Sequence, residues 1–197
     1  MNRRHFMAGV AAISVVTGAA PAFALNDAEA SALVSKVTGE ITSVINSGKS
    51  QAAMFKDFER IFSKYADVNT IARTTLGPPA RSASAAQMKA YTTAFRGYLS
   101  RKYGKRFREF IGGKLEVKGA RKIRDRQYEV KTVALLRGEA PFDVTFLVSD
   151  QSGKDLFFDM LIEGISLLKA EKSEIGAMLD RNRGDLDKMI AALSTAG

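Results

Sequence analysis

The apolar residues of this chain change period twice. Up to Tyr103 they recur every three or four positions, from about Lys114 they alternate or run together, and after Gly164 the helical spacing returns. Helices, then strands, then helices can bury their apolar faces together only as an α+β fold, with helices packed over one face of an antiparallel sheet.

Leu33, Val37, Ile41, Val44 and Ile45 make the stripe of a first helix, opened by Asn26-Asp27 and closed near Ser47-Gly48. A second carries Phe55, Phe58, Phe62 and Tyr65, and a short third carries Val68, Ile71, Ala72 and Leu76. Gly77-Pro78-Pro79 stops the third, because glycine accepts a left-handed cap and proline cannot continue the helix. Ser84-Ala85-Ala86-Gln87 is a capping box, and behind it Met88, Tyr91, Phe95, Leu99 and Tyr103 share one face. Residues 128–136, 142–148 and 156–162 are strands separated by turn-forming residues, with Leu115 to Val117 as a fourth, weaker member. Ile175, Met178 and Leu179 precede an Asn182-Arg183-Gly184 stop, and Leu186, Met189, Ile190 and Leu193 form the last stripe.

Two strands are apolar on both faces. In Phe142 to Val148, Leu147 lies opposite the Phe-Val-Phe-Val face; in Leu156 to Ile162, Phe157 and Leu161 lie opposite Leu156, Phe158, Met160 and Ile162. A sheet with one wet face alternates more sharply. Helices on both faces, strand pairing in a dimer, or an apolar cavity along one face all satisfy this pattern.

Residues 1–24 combine a basic start, an apolar run from Ala8 to Ala20, and an Ala22-Phe23-Ala24 end, which is the pattern of a cleavable export signal. Arg3-Arg4-His5-Phe6-Met7 has a twin-arginine character, with an ordinary Sec signal as the alternative. Cleavage after Ala24 leaves 25–197 as a single domain in the periplasm. The chain has no Cys, and its one His is His5, inside that leader. The exported part therefore has no disulfide, no Ser-His-Asp or Cys-His nucleophile, no His/Cys zinc site and no haem ligation through either residue.

Positive charge is concentrated. Arg101 to Arg126 holds eleven basic and three acidic residues, while the rest of the chain after residue 24 is close to neutral. Tyr103, Phe107, Phe110 and Ile111 are interleaved with it. Export argues against a nucleic-acid partner for this patch. Anionic lipid headgroups, at about 1 kcal/mol per basic residue, or a solvated face that steers a protein partner, both fit.

Several of these segments together resemble one family. Asp67-Val68-Asn69-Thr70-Ile71-Ala72-Arg73-Thr74-Thr75-Leu76-Gly77, then Ser84-x-x-Gln87, then Phe95-x-x-Tyr98-Leu99-x-x-Lys102-Tyr103 is similar to the helical half of the MlaC-type periplasmic phospholipid carriers, also called the toluene-tolerance or ABC-transporter auxiliary family. Val144-x-Phe146-x-Val148 and Phe158-Asp159-x-x-x-Glu163-Gly164-x-Ser166 resemble its second half, as does Gly184-Asp185-Leu186 with the closing helix. Pro78-Pro79-Ala80-Arg81 stands where that family usually has Trp-Arg, Phe157 or Leu156 where it has Trp, and Lys169-Ala170-Glu171-Lys172 near its Asn-Tyr-Arg. These departures match a divergent branch that includes relatives associated with hopanoids, for which another apolar cargo is expected.

The resemblance implies a nuclear-transport-factor-like cone with an apolar cavity between helices and a curved sheet. It implies a carrier of phospholipid, without cofactor, that exchanges cargo with an inner-membrane ABC transporter complex and an outer-membrane lipoprotein or porin complex. The expected lining is Leu76, Phe95, Leu99, Tyr103, Phe107, Val144, Phe146, Val148, Phe158, Met160, Ile162 and Ile165. Arg101, Lys102, Lys105, Arg106 and Arg108 are expected to meet headgroup or partner. Cones of this kind also host enzymes built on a pocket carboxylate, for which Asp159 or Asp143 is the candidate; pairing of Asp159 and Glu163 with nearby Arg or Lys is the expected alternative.

Overall fold

Polar side chains open every α-helix that the computed structural model describes, over residues 25–105 and 110–197. The proposed leader, and Arg106, Phe107 and Arg108 among the expected site residues, lie outside the described residues. Asn26 and Glu29 form a reciprocal capping box that starts α1, Asp27–Ile45. Ser50 starts α2, Gln51–Tyr65, and Asp67 starts α3, Val68–Leu76. Gly77 ends α3 at φ +70° before the 3-10 turn Pro78–Arg81. Ser84 and Gln87 form the expected second capping box at α4, Ala85–Gly104. Ser166 opens α5, Leu167–Arg181, and Asp185 opens α6, Leu186–Thr195. In each case a side-chain oxygen accepts from a first-turn amide that has no helical partner.

The sheet is an antiparallel meander, β1 (Lys114–Arg124), β2 (Gln127–Leu135), β3 (Phe142–Ser149), β4 (Leu156–Ile162) and the two-residue β5 (Ile165–Ser166), in that spatial order. Among the described residues six α-helices thus pack on a five-stranded open sheet, the expected α+β class. The strand expected only at Leu115–Val117 is the longest, eleven residues. It is an edge strand, bulged where Val117 gives way to Gly119 (φ +155°). Its Lys and Arg residues discourage edge-to-edge pairing, and they also dilute the apolar alternation that marks a strand.

A bulge in β4 corrects the two-faced reading of that strand. Val148 pairs with Phe157 and Leu147 with Asp159, so Phe158 is the extra residue. The inward phase shifts by one there. Phe157 before the bulge, and Met160 and Ile162 after it, stand on the same face as Val148, Phe146 and Val144. That face and Tyr128, Val130 and Ala134 of β2 meet Val34 and Val37 of α1 and Phe58 and Ile61 of α2 in one apolar core. Each such fully buried side chain contributes about 1.5–3 kcal/mol of transfer free energy.

Candidate functional site

The inward face is not completely filled. α1 presents Ile41, Thr42 and Ile45 toward β1, β3 and β4, and between them lies an apolar cavity of about 110 Å³. Val144 and Phe146 of β3, Met160 and Ile162 of β4, Leu115, Ala134, Leu136, Phe142 and Phe110 complete its walls. Gly113 is there because the backbone passes too close for a side chain. A Cβ would sit 2.7 Å from Leu136 and 3.0 Å from two backbone oxygens. Lys114 also lines the cavity while its side chain is 62% exposed, so its ammonium stands where the cavity meets water.

A second cavity, about 120 Å³, lies under α2 and α4, walled by Val37, Ile41, Phe58, Ile61, Phe62, Leu99, Ser100, Tyr103, Phe146, Phe157 and Met160. The two share Ile41, Phe146 and Met160, which form the partition between them. Phe157 holds the partition in place: its ring meets Phe146 edge-on at 5.6 Å and Phe62 at 6.1 Å. Together the cavities fall short of the roughly 300 Å³ at the low end of small-molecule pockets.

Seven of the expected lining residues border a cavity: Val144, Phe146, Met160 and Ile162 on the sheet, Leu99 and Tyr103 on α4, and Phe158 in a third, smaller hollow of about 60 Å³ beside Leu167 and Leu168 of α5. Leu76, Phe95 and Val148 sit in the packed core away from these hollows, Phe95 between the rings of Tyr91 and Tyr98. Ile165 is 67% exposed on the short strand β5. Sequence reasoning did not assign the α1 and α2 residues to the cavity, nor Phe157 and Lys114. The helical stripes flagged Val37, Ile41, Phe58 and Phe62 as inward, but a stripe has the same spacing whether it meets side chains or a void.

Residues 35–195 match the family model described as MlaC protein. The chain belongs to the MlaC family. Its fold also matches a phospholipid-binding protein from Ralstonia solanacearum solved in complex with a phospholipid, with a TM-score of 0.71 and 18% identity over 84% of this chain and 99% of that one.

The MlaC family is one of lipid-binding carriers, not enzymes. Asp159 is nearly buried, but it is occupied. Its Oδ1 accepts from the Met160 and Leu168 amides at 2.7 and 2.9 Å, and its Oδ2 from the Ser166 hydroxyl at 2.6 Å. It is a clamp between β4 and the start of α5, held by hydroxyl and amide donors rather than by the expected Arg or Lys. Glu163 (φ +49°), in the β4–β5 turn, accepts from the Asp143 amide of β3. Neither is a free base aimed at a cavity.

Arg101, Lys102 and Lys105 are engaged within the fold. Arg101 donates through Nε to the Ala196 carbonyl at 2.8 Å and through Nη2 to Leu193 at 3.0 Å, closing the end of α6. Lys105 Nζ reaches the Gly197 oxygen at 2.6 Å. Lys102 Nζ lies 2.7 Å from Glu171 Oε1 and 2.9 Å from the Tyr98 hydroxyl. Burial works against the Lys102 charge, but the bonds to Glu171 and Tyr98 outweigh it and raise its pKa.

Proposed function

We propose that this protein is a periplasmic lipid carrier that holds phospholipid tails in the two adjacent apolar cavities and passes its cargo between membrane complexes. Export and cleavage after Ala24 deliver residues 25–197 as one lipid-binding domain. The partners are an inner-membrane ABC transporter complex and an outer-membrane lipoprotein or porin complex. The observation that carries the reading is the pair of cavities between helices and sheet, lined almost wholly by apolar side chains and parted only by Ile41, Phe146 and Met160. The phospholipid bound to the Ralstonia solanacearum protein of the same fold supports it.

Lys114 stands at the edge of the first cavity, where its ammonium pairs with Glu116 at 2.6 Å, and a phosphate that stays in water would take that partner's place without burying its charge. Of the basic residues expected at the headgroup or a partner, Lys105 is the exposed one among those described, and its tie to Gly197 exchanges readily with a membrane or protein acid.

The energetics suit exchange. Burying each methylene from water is worth about 0.8 kcal/mol, so two tails of about thirty methylenes would gain roughly 24 kcal/mol, beyond the non-covalent ceiling near 18–21 kcal/mol. In the periplasm the competing state is a bilayer, where the tails are already out of water. The difference between pocket and bilayer is small, so the carrier releases what it binds, and direction must come from its partners.

Native mass spectrometry of the protein purified from cells tests this. Adducts with phospholipid masses are expected; bare protein from repeated preparations would refute the carrier reading.

A further inference from the structure

Tyr103 stands between two hollows. The third hollow, about 60 Å³, lies against α5, and Leu99, Tyr103, Phe157 and Met160 line both it and the second cavity. Of these four side chains only that of Tyr103 ends in a polar group, and its hydroxyl donates to Glu171 Oε1 on α5. Glu171 is fixed in turn. Its side chain is 3% exposed, and Lys102 Nζ lies 2.7 Å from the same oxygen. The Tyr98 side chain interacts with Glu171 as well. Lys102 also reaches the Tyr98 hydroxyl at 2.9 Å and lies 5.2 and 5.6 Å from the ring centroids of Tyr98 and Tyr103. One carboxylate on α5 thus gathers three side chains from the last two turns of α4.

A buried carboxylate is tolerated only where charge and hydrogen bonds compensate it, so Glu171 cannot leave this cluster without stranding its charge. It is a rigid anchor for what it binds. Tyr103 alone is less constrained. An aromatic side chain on a helix has two χ1 wells, at about 180° and about −60°. Packing discriminates weakly between them when a void borders the ring on each side, because a void offers no partner atoms. A hydrogen bond to a charged acceptor fixes the tip of the ring and with it the well. We propose that Glu171 is a positioning residue: it latches Tyr103 across the end of the second cavity, so that the ring sets how far an acyl tail runs toward α5. With the latch released the ring can take its other well, and the third hollow joins the second cavity and admits a longer tail. The proposal rests on the carrier reading and adds tail-length selection to it.

The test loads delipidated protein from vesicles holding equal amounts of dimyristoleoyl and dioleoyl phosphatidylglycerol, two fluid lipids that differ only in tail length. Native mass spectrometry then gives the ratio of long-tailed to short-tailed lipid bound. Tyr103→Phe keeps the ring and removes the latch. Its ratio is expected to exceed that of the wild type by about threefold to tenfold, the upper figure being the effect of one hydrogen bond to a charged acceptor. In Glu171→Gln the amide oxygen still accepts from the tyrosine, and the ratio should stay near that of the wild type. A tie that only stabilised the fold would lower the melting temperature of Tyr103→Phe without moving its ratio, and that result overturns the proposal. A ratio that rises as far in Glu171→Gln as in Tyr103→Phe overturns it too. Should Tyr103→Phe fail to fold, Glu171→Leu, which removes the acceptor instead, decides by the same ratio. Lipid bound at one ratio in all folded variants would overturn this inference only; a wild type that takes up neither lipid would overturn the carrier reading with it.

Discussion

Phe146 meets Phe157 edge to face, with ring centroids 5.6 Å apart and planes at 83°. The contact joins neighbouring strands and stiffens the partition between the two cavities, since Phe146 borders both. Phe146→Ala would open one continuous void on a side chain that is 1% exposed. The expected cost is about 3–5 kcal/mol of stability, measured by urea unfolding. A loss under about 1 kcal/mol would mean that α1 and α2 collapse into the space, and that the cavities are not held open by the sheet.

Ile41 faces the partition from the helical side and lines both cavities. Ile41→Trp should fill the junction at a cost of about 1–3 kcal/mol and leave the fold intact. The fraction of protein carrying lipid in native mass spectrometry is expected to fall by more than half, by roughly the blocked share of a chamber already small for its cargo. Unchanged lipid occupancy in a folded variant would place the tails elsewhere.

These residues mark what could be read before the fold was known. The starts of α1 and α4 were legible because a cap is a local bond: Asn26 with Glu29 and Ser84 with Gln87 lie three residues apart and need nothing distant. The strands from Gln127 to Ile162 were legible from β-branched and aromatic runs. The β4 bulge was not. Phe158 sits among Leu156, Phe157 and Met160, and nothing local says which of two adjacent phenylalanines drops out of register; pairing with β3 decides it. Distance in sequence hid the roles of the cations for the same reason. Arg101 binds carbonyls more than ninety residues away, and Lys102 finds Glu171 on a helix beyond the whole sheet.

The α1–α2 pairing predicts an acid limb of stability. Glu40 Oε1 accepts from Lys64 at 2.6 Å and from the Tyr65 hydroxyl at 2.7 Å, and Oε2 from Arg60 at 3.1 Å. The bonds from Lys64 and then Tyr65 lower its pKa from 4.5 to about 2. A lowered carboxyl stabilises the fold above its unfolded value and loses that contribution as pH falls through the folded one. Glu40→Gln should therefore cost about 1 kcal/mol at pH 7, and the gap to wild type should close between about pH 4.5 and pH 2. A gap that stays constant over that range in urea titrations would separate the stabilisation from the carboxylate's charge.

The nitrogen of Leu25 lies 3.3 Å from Asp150 Oδ2, and the Leu25 side chain is buried at 4% exposure. Arg126 Nε holds the other oxygen of Asp150 at 2.7 Å. Burial pushes the Asp150 carboxyl up, but the bonds from Arg126 and the Leu25 amide outweigh it and hold the pKa below its ordinary value. Under the proposed cleavage after Ala24, that nitrogen becomes an α-ammonium, and the hydrogen bond becomes an ion pair. Asp150→Asn should then cost the processed chain about 1 kcal/mol at neutral pH. The difference from wild type should shrink on both sides of neutrality. On the acid side it is lost as Asp150 protonates. On the alkaline side it is lost above about pH 8, as pH rises through the pKa of an ammonium raised by its partner. Acetylating the nitrogen of Leu25 should remove the alkaline limb and leave the acid one. An alkaline limb that persists after acetylation would trace it to another group and detach the new terminus from Asp150.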